Sequence, residues 1–130
     1  MKHKKILLVT PPYHCGVVEV AGRWIPLNLL YIAEAARRAG VEPVLFDAMS
    51  RFSTLEEIRA AIVRERPDYI ATYSITATAP AALEVARVAK EAAPAAIVLM
   101  GGVHPTFMAK ERRPRESCWS PSRAAATGDG

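Results

Sequence analysis

Four short apolar runs alternating with three helical patterns predict an α/β fold, a doubly wound parallel sheet of the flavodoxin-like or Rossmann-like three-layer kind. The runs are continuously apolar, as strands buried on both faces of a parallel sheet are, and do not alternate apolar with polar. The stretches between them space apolar residues three and four apart and carry helix start and stop residues. Strands separated by single helices with short connections close through right-handed crossovers.

Lys5-Ile6-Leu7-Leu8-Val9-Thr10 is the first run, ended by Pro11 and Pro12. Pro26 suits a first helical position. Leu27, Leu30, Tyr31 and Ala35 then recur at helical spacing as an apolar stripe, and Gly40 follows a basic last turn of Arg37 and Arg38. Pro43-Val44-Leu45-Phe46 is the second run. Thr54 and Glu57 have the spacing of a capping box, opening a helix with Leu55, Ile58, Ala61 and Ile62 on one face until Arg66-Pro67. Tyr69 to Tyr73 is the third run. The third helix, about Pro80 to Ala93, has the stripe Ala82, Val85, Ala86, Ala89 and Ala93, whose small side chains allow close packing on the sheet. Ala96-Ile97-Val98-Leu99-Met100 is the last run.

No repeat or linker interrupts residues 1–108. From Arg112 the sequence mixes Arg, Pro, Ser and Ala without period, so the expected division is an α/β domain over 1–108 and a disordered or frameshifted tail over 109–130. On that division the last strand and helix of the fold are missing. The sheet then keeps an exposed edge beside its fourth strand, and the Ala-rich helix is left partly uncovered, which predicts a fragment prone to aggregate.

Composition narrows the function. The chain has 130 residues, 51% hydrophobic and 23% charged, enough for one core without disulfide or metal staples. No apolar run approaches the roughly 18 residues of a membrane-spanning helix, and the start has no signal-peptide pattern. Two cysteines, Cys15 and Cys118, make neither a disulfide framework nor a Cys-rich metal site, and the expected compartment is the reducing cytoplasm. The net charge of +4 does not indicate nucleic acid as a partner, because residues 1–108 hold 12 of the 17 basic and 10 of the 13 acidic side chains. Half of the excess therefore falls in the tail.

Open α/β sheets bind ligands beyond the carboxyl ends of their strands. In this chain that edge comprises Thr10 to Trp24, Asp47, Ser74 to Thr78 and Gly101 to Phe107. Thr10-Pro11-Pro12 offers neither the Gly-x-Gly-x-x-Gly amides of a dinucleotide site nor a P-loop, since proline lacks an N–H. The acidic cluster of a phosphoryl-accepting receiver is absent as well. Ser74-Ile75-Thr76-Ala77-Thr78 supplies uncharged hydroxyls, and Gly101-Gly102 lets a bulky group approach the backbone. The connection from Thr10 to Pro26, roughly fifteen residues, exceeds the usual two to six. A large, uncharged ligand fits this layout.

These segments, with Pro26-Leu27-Asn28-Leu29-Leu30-Tyr31-Ile32-Ala33, Phe46-Asp47-Ala48 and Gly101-Gly102-Val103-His104-Pro105-Thr106, resemble the N-terminal cobalamin-binding domain of cobalamin-dependent radical SAM proteins. Within that group they are most similar to the anaerobic magnesium-protoporphyrin monomethyl ester cyclase type. The resemblance covers about residues 4 to 110 and implies cobalamin as cofactor. It also implies that Ser74 and Thr76 lie against the cofactor's buried nucleotide tail, that Gly101 and Gly102 make room for it, and that Pro11, Pro12, Tyr13 and His14 lie under the corrin ring. Asp47 and His104 fall at the same edge. Pro12-Tyr13-His14-Cys15-Gly16-Val17 departs from the Asp-x-His-x-x-Gly loop of the methionine synthase type, so cobalt without a histidine ligand is expected, and His14 is the residue that would ligate it otherwise. The S-adenosylmethionine site and [4Fe-4S] cluster of such enzymes belong to a radical SAM barrel that follows this domain, so catalysis is not expected from this stretch alone.

Each residue also has a plainer role. Gly101-Gly102 serves as a strand-end turn, Ser74 and Thr76 as caps of the following helix, Asp47 as a cap of its own loop, and His104 as loop packing. The alternative function is a flavodoxin-like domain that binds another small ligand or serves as an interaction module.

Overall fold

The structure, a computed structural model, describes residues 3–13 and 25–108. It contains β1 (Lys5–Val9), α1 (Leu27–Arg38), β2 (Glu42–Phe46), α2 (Leu55–Glu65), β3 (Tyr69–Tyr73), α3 (Ala79–Ala92), β4 (Ile97–Gly101) and a short α4 (Val103–Phe107). The strands form one parallel sheet in the order β2-β1-β3-β4. β1 lies at its centre, with Leu8 opposite Leu45 on one side and Ala71 on the other. Among the described residues, β4 pairs only with β3.

Strand alternation sorts the core into two faces. Leu7, Val9, Ile70, Val98 and Met100 point to one side, where Ile58 and Ile62 of α2 and Ala82, Val85, Ala86 and Ala89 of α3 bury them. Ile6, Leu8 and Ala71 point to the other, against Leu29 of α1, with Ala33, Ala36, Tyr69, Tyr73 and Leu99 packed around them.

α2 begins at the capping box. The Glu57 amide donates to Thr54 Oγ1 at 3.3 Å and the Thr54 amide to Glu57 Oε2 at 2.7 Å. It ends at Arg66, held in the left-handed region with φ of 47° before Pro67 stops the helix. α3 buries Ala82, Val85, Ala86 and Ala89 of its stripe, more than the expectation of a partly uncovered helix allowed, because α2 packs alongside it and Arg59 pairs with Glu91 across the two, while Ala93 at its end is half-buried.

α1 overturns a second expectation. Its buried side is Leu29 with Ala33 and Ala36, while Leu27 is 60% and Tyr31 77% exposed and Leu30 is also exposed. The first two turns are apolar almost all round, so the stripe is settled further along. Continuing Leu27 and Tyr31 by helical steps reaches Glu34 and Arg38, whose charges stay in solvent as a Glu34–Arg38 and Glu34–Arg37 cluster. The stripe through Ala33 and Ala36 carries no charge and lets the helix approach closely. Pro26 stands at the N-cap rather than the first helical position.

Among the described residues no helix is long and apolar enough to cross a membrane, and no group of three His, Cys, Asp or Glu side chains could hold a metal ion. His14 and the expected tail, 109–130, lie outside the described residues.

Candidate functional site

The carboxyl ends of the four strands bring most of the expected residues to one edge. Beyond β1, Thr10 is buried and joins two loops. Its Oγ1 donates to Asp47 Oδ1 at 2.9 Å and accepts from the Met49 amide at 3.0 Å. The Ser50 amide donates to the same Asp47 oxygen at 3.2 Å. Asp47 thus caps its own loop, and the bond from Thr10 holds the carboxylate at the edge. Pro11 is buried, Pro12 and Tyr13 are half-buried, and the Tyr13 amide donates to the Pro11 carbonyl at 2.9 Å.

The turns after β3 and β4 are clasped together. The Ser74 amide donates to the Gly101 carbonyl at 2.9 Å and the His104 amide to the Ser74 carbonyl at 3.2 Å. Thr76 Oγ1 and His104 Nδ1 lie 3.1 Å apart. Gly102 has φ of 102°, and a Cβ there would stand 2.6 Å from the Ser74 carbonyl oxygen. The absent side chain at this position therefore serves the approach of one turn to the other. Gly101 differs, since a Cβ built on it meets nothing within 4 Å.

The hydroxyls of the β3–α3 turn divide by role. Thr78 Oγ1 accepts from the Ile75 amide at 3.1 Å and so organises the turn, and α3 has no side-chain N-cap bond. Neither Ser74 nor Thr76 caps the helix. Ser74 is 0% exposed and its Oγ has no hydrogen-bond partner among the described residues; Thr72 Oγ1, two residues earlier on β3, is in the same state. An unpartnered buried hydroxyl costs on the order of 1–3 kcal/mol, so such atoms mark places where a partner is missing.

Tyr73, the last residue of β3, is half-buried, and its phenol is pushed above the ordinary tyrosine range, first by burial and second by the Asp47 carboxylate. Sequence reasoning placed Thr10 at the ligand edge without giving it a role, and did not select Tyr73 or Thr72. A polar residue at the last position of an apolar run is a signal that would have found Tyr73. Exposed apolar side chains surround this edge, among them Ile25, Leu27, Ile75, Val103 and Phe107.

A cleft of about 540 Å3 lies at the opposite end of the sheet, among Lys4, Ile62, Pro67, Tyr69, Ala93 and Ile97. Neither of the unpartnered buried hydroxyls lines it. The carboxyl edge, where orphaned hydroxyls, an open glycine position and an oriented carboxylate converge, is the better ligand site.

An open parallel sheet with a polar but largely uncharged carboxyl edge defines a small-molecule-binding α/β domain. The B12 binding domain family matches residues 13–118, and the chain belongs to that family. It is 36% identical over 108 residues to the anaerobic magnesium-protoporphyrin IX monomethyl ester cyclase of Cereibacter sphaeroides, an alignment that takes in 82% of this chain and 18% of the relative. It is 33% identical over 108 residues to an uncharacterized methyltransferase of Pyrococcus horikoshii, covering 82% of this chain and 23% of the relative. The chain thus spans about a fifth of the length of these curated relatives. In fold it matches the cobalamin-dependent S-adenosylmethionine radical enzyme OxsB with aqua-cobalamin and S-adenosylmethionine bound, at a TM-score of 0.73, 18% identity, and coverage of 93% of this chain and 17% of that one. The radical S-adenosylmethionine methyltransferase TsrM from Kitasatospora setae matches at a TM-score of 0.65, 17% identity, and coverage of 82% and 20%.

Proposed function

We propose that this chain binds cobalamin at the carboxyl edge of its sheet, as the N-terminal module of a methyltransferase or cyclase-like enzyme whose radical SAM barrel holds S-adenosylmethionine and a [4Fe-4S] cluster. The observation that carries this reading is the fully buried, unpartnered Ser74 hydroxyl beside the open position at Gly101. A donor and acceptor without a partner among the described residues, next to a backbone with no side chain in the way, fits a bulky ligand with polar atoms at its buried end. Ser74 and Gly101 would hold that end, Pro11, Pro12 and Tyr13 would lie beneath the corrin, and Thr76 with His104 would keep the β3 and β4 turns in place. Bound cobalamin would supply a cobalt centre able to carry a methyl group. The exposed apolar side chains round this edge support a role beneath a covering domain.

The test is incubation with hydroxocobalamin followed by gel filtration and visible spectroscopy. Corrinoid absorbance should elute with the protein at one equivalent per chain, and its absence at stoichiometric protein overturns the reading. Ser74→Ala should weaken binding about five- to tenfold while leaving the ligand-free protein as stable or slightly more stable, because a buried hydroxyl without a partner is removed.

A further inference from the structure

We propose that Tyr73 and Asp47 form a donor and acceptor pair that selects a neutral carboxamide on the rim of the bound ligand, and rejects a carboxylate at the same place. The inference rests on the cobalamin reading, since the corrin periphery of cobalamin carries primary carboxamides.

The pair is assembled by three elements. Tyr73 stands directly opposite Gly101 in the β3–β4 register, so its side chain borders the position left open by the glycine. Its ring packs against the Ile6, Leu8, Leu29 and Ala71 cluster, which keeps the phenol at the edge of the α1 face. Asp47 reaches the same edge from β2. Thr10 and the Ser50 amide both engage its Oδ1, so the carboxylate is oriented and its charge only partly satisfied. Among the described residues neither the Tyr73 phenol nor Asp47 Oδ2 makes a hydrogen bond.

A phenol that donates and a carboxylate that only accepts match the two halves of a primary amide, C=O and NH2. A carboxylate in that place would face the Asp47 charge in a half-buried setting, and like charges brought together there are strongly disfavoured. Val9 of β1 pairs with Thr72, so Thr10, which holds Asp47 Oδ1, and Tyr73 follow as neighbours at the ends of adjacent strands; burial first and the Asp47 carboxylate second raise the Tyr73 phenol.

The experiment compares the purified chain's affinity for hydroxocobalamin with that for cobalamin monocarboxylic acids, in which one peripheral amide is hydrolysed, by equilibrium dialysis with visible detection. The wild-type chain should bind cobalamin at least about tenfold more tightly than one of the monocarboxylate isomers. Asp47→Asn keeps an Oδ1 acceptor for Thr10 and Ser50 and removes only the charge, so it should shrink that preference to about twofold or less. Tyr73→Phe, which keeps the ring packing, should weaken cobalamin binding about fivefold. Equal binding of every isomer by the wild-type chain, or a preference that survives Asp47→Asn intact, overturns the pair while leaving the cobalamin reading standing. Failure of the wild-type chain to bind cobalamin overturns both. Thermal melts followed by circular dichroism establish that each variant is folded, and if Asp47→Asn is not, Tyr73→Phe with unchanged affinity overturns the proposal alone.

Discussion

The two faces of the sheet are made from the same strands and differ in how far they are closed. On the α2/α3 face, alternate residues of β1, β3 and β4 meet two helices, and the cluster holds fourteen buried residues from Leu7 to Met100. On the α1 face, among the described residues, the intervening residues of those strands meet one helix, and the cluster there holds four buried residues, Ile6, Leu8, Leu29 and Ala71. Tyr69, Tyr73 and Leu99 are only half-covered there, and Ile97 is exposed. A polypeptide that alternates side chains at every step can thus, among the described residues, build a larger core on one side than on the other. Tyr73 and Gly101, which border the proposed ligand rim, belong to the second side.

That contrast can be broken most directly by deleting volume. Ile70→Ala on the closed face should cost about 3–4 kcal/mol, because the surrounding helices cannot collapse into the space. Leu27→Ser on the outer surface of α1 should change stability by less than about 0.5 kcal/mol, since that side chain is already in water. Urea unfolding of the two variants measures both, and similar losses would mean that α1 packs through Leu27 after all.

Next in size is the clasp between the turns. Gly102→Ala should destabilise by about 2 kcal/mol or more through its positive φ and the collision with the Ser74 carbonyl, seen as a lowered melting temperature. Thr54→Ala should cost about 1 kcal/mol by removing one half of the capping box under the closed face.

The smallest effect belongs to the open face. The Tyr73 phenol binds its proton more tightly folded than unfolded, so its contribution to stability is intact below about pH 10 and declines as pH rises above that value. Urea midpoints between about pH 9 and pH 11 should therefore fall less steeply for Tyr73→Phe than for the wild-type chain.

Most of the fold was legible because continuous apolar runs and capping signals act within a few residues of themselves. β3 begins and ends where the run does, and the Thr54–Glu57 box sits where its spacing placed it. The face of α1 was not legible from its first two turns, where apolar residues surround the axis; the choice lay with Glu34, Arg37 and Arg38 further along. At the candidate site, chain position sufficed to bring Asp47, Ser74, Thr76, Gly101 and His104 to one edge. What Gly102 accommodates, and why Thr10 matters, depend on turns distant in sequence approaching one another, and no local pattern carries that.

The central place of β1 also governs how the chain can reach this structure. Leu8 gains one neighbour from Leu45 and the other only when Ala71 arrives, and every ladder in the sheet is parallel and encloses a helix. Among the described residues no hairpin is available as a local nucleus, so each of these pairings must close a long loop before its hydrogen bonds form. Folding is accordingly expected to be slow for a domain of this size and governed by the docking of β3 against β1, with β4 able to join only an already paired edge.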